Sequence, residues 1–445
     1  MGKKMRKSGL RTFRGGVHPE DGKALSAARA LTPMEPGELL FYSLSQHIGA
    51  PARPTVAKGD HVLRGQKIAE AGGFVSAPVH ASVSGTVKEI KKMRMPAGNT
   101  ADCIVVENDG AMRETAFEPA DYTQLSGKEI LERISDAGVT GMGGAGFPTH
   151  VKLSPKEPEK IDYILINGAE CEPYLTSDYR RMLENPEMVA EGLKILLHIF
   201  PGARGVICVE DNKKDCAAAL EKALKGCGNI RIQLLKTKYP QGAERMLIYA
   251  VTGRKINSSM LPADVGCIVD NVETAAAVYR AVALGEPVMD RTMTVSGDGA
   301  AKPGNYIVPT GMLFREVLEK AGGAKGEPEK MIAGGPMMGN ALFSLEVPVT
   351  KTSSALLLFG KDPVSEQTPS ACINCGRCME ACPGQILPAR LAVFADHGDE
   401  EKFLKYHGME CCECGCCSFV CPAKRQLSQS IKSMRRLLLA KKKKG

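Results

Sequence analysis

The chain has 445 residues, with 58 Lys and Arg against 50 Asp and Glu, a formal net charge of +8, 43% hydrophobic residues and no tryptophan. That length predicts several domains, and an ordinary apolar fraction excludes a disordered polyelectrolyte. The basic excess sits at the ends, six groups in residues 1–16 and seven in 431–445 with no acid in either, and no aromatic platform accompanies it, which excludes nucleic acid as the expected partner. No apolar run approaches the roughly 18 residues of a membrane span. The N-terminus lacks the apolar segment of a signal peptide, so a cytosolic chain is expected.

In chain order, residues 1–50 read as an entry segment, irregular over 17–50 with Pro19, Pro33 and Pro36. Residues 51–110 predict a compact β unit of short alternating strands punctuated by Gly59-Asp60, Gly65, Gly72-Gly73 and Gly85. This pattern resembles the barrel-sandwich fold of lipoyl and biotinyl carriers. A carrier needs a lysine at the hairpin tip, where this chain has Ala71-Gly72-Gly73-Phe74; a structural or docking unit is expected, with His80 a structural residue.

An α/β domain is expected over 120–287. It opens with a helix whose apolar positions are Ile130, Leu131, Ile134 and Ala137, running into a loop with Gly141, Gly143, Gly144 and Gly146 followed by Phe147. The letters satisfy G-x-G-x-x-G, yet a dinucleotide fingerprint needs a strand before the loop, and here a helix precedes it. Four glycines in six residues still allow close backbone approach to a flat or phosphorylated ligand. Strand-like Tyr163–Ile166 then delivers Asn167, Glu170 and Glu172, and candidate strands and helices alternate at 205–209, 214–225, 230–235, 243–251 and 271–285. Polar residues at the carboxyl end of a parallel strand are where such sheets bind ligands, so Asn167 and Glu170 are site candidates, with helix capping the alternative role. Residues 288–362 predict a small β unit with a turn at Gly304-Asn305.

The last quarter holds ten of the sixteen cysteines in two runs, Cys372-x2-Cys375-x2-Cys378-x3-Cys382-Pro383 and Cys411-x2-Cys414-x2-Cys417-x3-Cys421-Pro422. This spacing wraps three thiolates around one [4Fe–4S] cube and sends the fourth to the other cube. By analogy with two-cluster ferredoxins, Cys372, Cys375, Cys378 and Cys421 hold one cluster and Cys411, Cys414, Cys417 and Cys382 the other. Zinc sites favour paired C-x2-C halves, and disulfide scaffolds are short and secreted. Cys412 and Cys416 are spare thiols, Cys416 being placed to compete as a ligand beside Cys417. A helical two-cluster domain over 363–430 is therefore expected. The basic tail 431–445 is expected either on an anionic membrane surface or as a solvated, frayed end.

Several motifs then carry a family resemblance. Gly-x-Gly-Gly-Ala-Gly-Phe-Pro-Thr-x-x-Lys152, Asn167-x-x-Glu170-x-Glu172, Tyr239-x-x-Gly242-x-Glu244 and Asn271-x-x-Thr274 resemble the flavin- and NADH-binding subunit of respiratory complex I. With the opening Phe13-Arg-Gly-Gly-Val-His-Pro19, the barrel-sandwich unit and the double cysteine run, the order resembles the C subunits of Rnf complexes. The stretch 291–323 resembles the soluble-ligand-binding β-grasp (SLBB) domain of these families. The resemblance implies a multidomain α/β protein with a barrel-sandwich unit, a Rossmann-like FMN/NADH domain, an SLBB-like unit and a ferredoxin-like domain. It implies FMN, NAD(H) and two [4Fe–4S] clusters as cofactors, and a peripheral place on the cytoplasmic side of a membrane complex that couples ferredoxin:NAD+ oxidoreduction to H+ or Na+ translocation. The other Rnf subunits are the implied partners, and ferredoxin an indirect one. Residue by residue, Gly141–Gly146 would pass FMN, Lys152 would meet flavin or phosphate oxygens, and Asn167, Asn271 and Thr274 would hydrogen-bond FMN. Phe147 would stack on the nucleotide and Glu170 would bind it. Met142 and Ala169 depart from the complex I pattern, which has arginine and aspartate there. The alternatives are a soluble flavin and iron–sulfur reductase, such as the cobalamin reductases, and a flavin-free relay subunit.

Overall fold

The computed structural model describes residues 9–442. The N-terminal β unit is built from two sheets. One has the order Leu39–Ser43, Thr100–Asn108, Gly85–Arg94, His61–Val62, and the other the order Arg53–Pro54, Lys67–Glu70, Val79–His80. Val62, Ile68, Val79, Val87, Ile104 and Val106 point between them into one buried cluster, as the alternation requires. Residues 17–50 are more regular than their prolines suggest. Strand Leu39–Ser43 belongs to the first sheet, and Leu31–Pro33 pairs in parallel with the distant strand Gly304–Pro309. Pro33 sits on an outermost strand, where a missing N–H breaks no ladder.

The helix Gly127–Asp136 begins at a capping box, Ser126 and Glu129 exchanging side-chain-to-backbone bonds. It buries Ile130 and Ile134. The parallel sheet that follows has the order Ile230–Leu235, Arg204–Glu210, Tyr163–Gly168, Cys267–Asn271. Its strands are near-continuous apolar runs because helices cover both faces. The chain moves outward from the first strand for two steps and then returns to its other side. The strand order therefore reverses between Tyr163–Gly168 and Cys267–Asn271, and the crevice at their carboxyl ends is the expected ligand position.

The third unit is a mixed sheet with the order Leu31–Pro33, Gly304–Pro309, Asp290–Ser296, Ala355–Phe359, Lys330–Ala333, Asn340–Ala341, covered by helix Phe314–Lys320. Gly304-Asn305, whose composition predicts a turn, instead opens a strand, with Gly304 opposite Val295 and Asn305 opposite Thr294. The reversal lies earlier, where Gly297 takes a φ of +100°. Asn305 is buried, accepting from Thr176 and Thr294 and donating to the carbonyls of Ser26 and Arg29, so tertiary partners override its turn preference.

The C-terminal domain is helical, with Arg377–Ala381, Pro388–Asp396, Glu400–Lys405, Cys416–Phe419 and Leu427–Lys442. The basic tail proves to be part of this fold up to residue 442. Ile431, Met434 and Leu438 recur at helical spacing and are buried with Leu391 and Phe403, while Arg435 pairs with Glu413 and Lys441 with Glu400. A frayed end does not describe it, because that apolar stripe has a partner surface. Among the described residues no helix is long and apolar enough to cross a membrane.

Candidate cofactor sites

The glycine-rich loop lies at the switch point of the parallel sheet. It closes on itself through the Gly141 N–H donating to the Phe147 carbonyl at 2.8 Å and a bridge between Thr140 and Pro148. Its far side is held by Thr274 Oγ1, which accepts from the Met142 N–H at 3.0 Å. Gly143, Gly144 and Ala145 are exposed. A Cβ on Gly143 would lie 2.8 Å from the Asn271 side chain, whereas Gly144 faces open space. The loop thus presents bare backbone at the mouth of the crevice and tolerates no side chain on its inner edge.

Both strands flanking the crevice end in asparagine. Asn167 donates to the Gly242 carbonyl at 2.8 Å and accepts from the Ala169 N–H. Asn271 caps helix Val272–Tyr279 by accepting from the Glu273 N–H at 2.9 Å, and donates to Asp178 at 2.7 Å. Lys152 donates to Asp270 at 2.9 Å and to the Val269 carbonyl at 2.7 Å, so its ammonium is already anchored beneath the crevice. Glu170 takes the capping role: at φ +46° its carboxylate accepts from the N–H groups of Asp178 and Tyr179 at the start of helix Ser177–Glu184. Burial pushes the carboxyls of Glu170 and Glu172 up to about 7. Glu172 reaches the Met337 N–H at 3.1 Å with one oxygen and leaves the other without a partner. Phe147 is half-buried, Glu244 is the first residue of helix Glu244–Thr252, and the Gly242 N–H lies 3.3 Å from Cys171 Sγ.

The buried polar atoms without partners give a test of what fits here. Thr140 Oγ1, Thr149 Oγ1, Glu172 Oε1, Tyr239 OH, Gln241 Nε2 and Asp270 Oδ2 all belong to this category. They come from the glycine loop's flanks and from the segments at the carboxyl ends of the strands. Buried polar groups are normally satisfied, so the open atoms of Thr140 and Thr149 on the loop's flanks and of Asp270 beneath it, beside bare backbone, suit a polar, phosphorylated, flat ligand such as FMN.

The two departures from the complex I pattern both face inward. Met142 is buried in the core of the α/β domain, and its carbonyl accepts from Arg291 at 3.0 Å. Ala169 is buried, and its carbonyl accepts from Lys213 at 2.8 Å. Sequence reasoning missed the charged layer under the loop. Arg181 donates to Glu273 at 2.6 Å and to Thr292 at 2.8 Å, and Arg291 donates to the Ser353 carbonyl. Burial acts to raise the Glu273 carboxyl, but Arg181 and Arg291 together hold it below its ordinary value. The only hint in the sequence is Arg291 at a position that alternation turns inward.

The cysteine runs separate into an inner and an outer set. Cys382, Cys411, Cys414 and Cys417 line one cavity, closed by Pro383, Gly384, Ile386 and Ile431. The last cysteine of the first run thus meets the first three of the second, and these four thiols of the repeated spacing, in an apolar enclosure that Cys412 also lines, fit an iron–sulfur cube. Cys372 and Cys375 are exposed, while Cys378 and Cys421 are half-buried against the core of the same domain. Cys416 also lies on the cavity wall, with its Sγ 4.0 Å from the Tyr239 carbonyl. Tyr239, Val17, Ala381, Cys414 and Cys416 form one buried cluster that joins the α/β domain to the cysteine domain.

Family comparison divides the chain in the same way. Residues 11–111 match the RnfC barrel sandwich hybrid domain, 134–280 the Nuo51 FMN-binding domain, 292–341 the SLBB domain and 367–387 the 4Fe-4S binding domain. The first match draws most of the expected entry segment into the β unit. The chain is 44% identical over 386 residues to the C subunit of the proton-translocating ferredoxin:NAD(+) oxidoreductase complex of Clostridium ljungdahlii, covering 86% of this chain and 84% of the relative. It is 41% identical over 436 residues to the C subunit of the Na(+)-translocating ferredoxin:NAD(+) oxidoreductase complex of Acetobacterium woodii, covering 98% of each. An NAD+-reducing [NiFe]-hydrogenase in the air-oxidized state is similar with a TM-score of 0.49 and 23% identity, over 63% of this chain and 54% of that chain.

Proposed function

The chain belongs to the C subunits of the ion-translocating ferredoxin:NAD(+) oxidoreductase (Rnf) complexes, and from that membership we propose how its sites divide the work of an electron-transfer subunit. The switch-point crevice holds FMN and receives NAD(H). The inner cavity holds the cluster nearer the flavin, and the exposed cysteines hold the outer one. Flavin is the species that links hydride exchange by nicotinamide to the single-electron exchange of iron–sulfur cubes. The residues themselves bind, orient and exclude water: Gly143 and Gly144 admit the ring system, Thr274 fixes the loop that faces it, Asn271 lies against Gly143 at the strand end, and Phe147 stacks on the nucleotide.

The observation that carries this reading is the single buried cluster in which Tyr239, from the FMN-domain loop, packs with Cys414 of the inner cavity. It packs a loop of the FMN domain directly against the wall of the inner cavity. At the outer end, Ile373 and Met379 are exposed in the run that carries the exposed Cys372 and Cys375. An apolar rim beside exposed ligands suits docking of another redox subunit of the complex, at the cytoplasmic face of the membrane.

The test is anaerobic purification followed by optical and EPR titration with NADH, counting flavin and iron. Flavin bleaching with about eight irons per chain and reduced-cluster signals is expected. The same iron content without bound flavin or any NADH response would demote the chain to a relay.

A further inference from the structure

The opening Phe13-Arg-Gly-Gly-Val17 is the motif that this function leaves without a role. It lies between the two redox halves and touches both. Upstream of it, Arg11 extends the edge of the parallel sheet, donating to the Leu234 carbonyl at 3.2 Å and accepting from the Lys236 N–H at 2.9 Å. Val17 and Tyr239 then exchange two main-chain bonds of 2.8 and 2.9 Å. On the other side, the Gly16 N–H donates to the Ala381 carbonyl at 2.8 Å, one residue before the ligand Cys382. The segment is therefore bonded simultaneously to the flavin-domain loop and to the wall of the inner cluster cavity.

Its glycines are required by position. Gly15 has φ +85°, and a Cβ there would lie 2.8 Å from the Cys382 carbonyl oxygen; Gly16 has φ +84°, and its Cβ would lie 2.6 Å from the Tyr239 carbonyl oxygen. Both neighbours are backbone and cannot swing aside. Lys238 locks the turn, donating to the carbonyls of Phe13 at 2.6 Å and Gly15 at 2.7 Å, with its ammonium 3.9 Å from the Phe13 ring centroid. Such contacts, repeated on both sides, add to the other bonds across the same seam, where Glu410 pairs with Arg245 at 3.1 Å and accepts from the Ser258 N–H at 2.9 Å and its hydroxyl at 2.6 Å.

We infer that Phe13–Val17, clasped by Lys238, is a positioning strap that holds the inner cluster cavity against the flavin domain and so sets the rate of electron passage between them. The inference rests on the flavin and cluster assignment above. The strap contributes no cluster thiol and no residue of the glycine loop, and it acts through Tyr239 on one side and the Ala381–Cys382 backbone on the other.

The test compares the full chain with Lys238→Met, which keeps the aliphatic stem and removes the clasp, with Lys238→Arg as the rescuing variant and Gly16→Ala as a second lesion. Rapid mixing with NADH follows flavin bleaching and cluster reduction separately, and hydrogen exchange follows the Gly16 and Val17 amides. In Lys238→Met those amides should exchange faster, while iron content, the EPR of the dithionite-reduced clusters and the bleaching rate stay unchanged. Cluster reduction by NADH should slow about tenfold, since lowering the docked fraction to about a tenth scales the rate equally. Unslowed cluster reduction in a variant whose strap amides exchange freely would overturn the strap alone. A wild-type chain with bound flavin that NADH does not bleach would overturn the parent reading instead.

Discussion

Ile431 is fully buried in the C-terminal helix and lines the cavity that holds Cys382, Cys411, Cys414 and Cys417. Replacing it by alanine removes three methyl or methylene groups from a site flanked by Leu391, Phe403 and Met434, where collapse is limited. Such truncations cost 2–5 kcal/mol, and about 3 kcal/mol is the reasonable value here. At 1.4 kcal/mol per factor of ten, opening of the helix away from the cavity becomes about a hundredfold more frequent. Leu437 on the same helix is 47% exposed, so Leu437→Ala should change stability by no more than about 0.5 kcal/mol. The assay is the anaerobic release of iron to a chelator, followed by colour. Ile431→Ala should release part of its iron far faster than wild type, and Leu437→Ala at the wild-type rate. Equal release by all three would refute the claim that this helix seals the inner cluster and would return the tail to the role of a dispensable end.

Three further outcomes are expected. Gly143→Ala forces a Cβ onto the Asn271 side chain and should lower bound flavin per chain with iron unchanged, measured by absorbance of the purified protein. Cys414→Ser should lose about half the iron and Cys412→Ser none, because only the first sits at a ligand position of the repeated spacing. Lys351 is buried with its ammonium bonded only to the carbonyls of Pro78 and Gly138, and desolvation pushes it from 10.5 down to about 7. The unfolded chain therefore binds the extra proton between those values, so this group makes stability rise with pH across that window. Denaturation midpoints between about pH 7 and pH 9 should climb in wild type, and Lys351→Met should lack that climb.

What can be read from the chain is what depends on neighbours in sequence. The cysteine runs are legible because a cube's corners are spanned by gaps of two and three residues, and the glycine loop because four glycines in six residues stand out, of which Gly143 is crowded by Asn271 and Gly146 takes φ +72°. The helix before that loop is enough to reject an ordinary dinucleotide fingerprint. Asn167 falls at a strand end by periodicity alone, whereas Asn271 enters only through the family resemblance.

Tertiary structure decided which of several possible partners each residue takes. Capping is an alternative in the sequence for Glu170, and the arrival of helix Ser177–Glu184 above it selects that role. The tail reads as a solvated or membrane-bound strip because its lysines outnumber its leucines, and only the surface offered by Leu391 and Phe403 turns Ile431, Met434 and Leu438 inward. Gly304-Asn305 carries a turn's composition, yet Thr176 and Ser26, both far away in sequence, satisfy the asparagine in a strand. Spacing specifies which atoms a short segment can offer. It does not specify which of those atoms another segment, eight residues away for Glu170 and 279 for Asn305, will have already engaged.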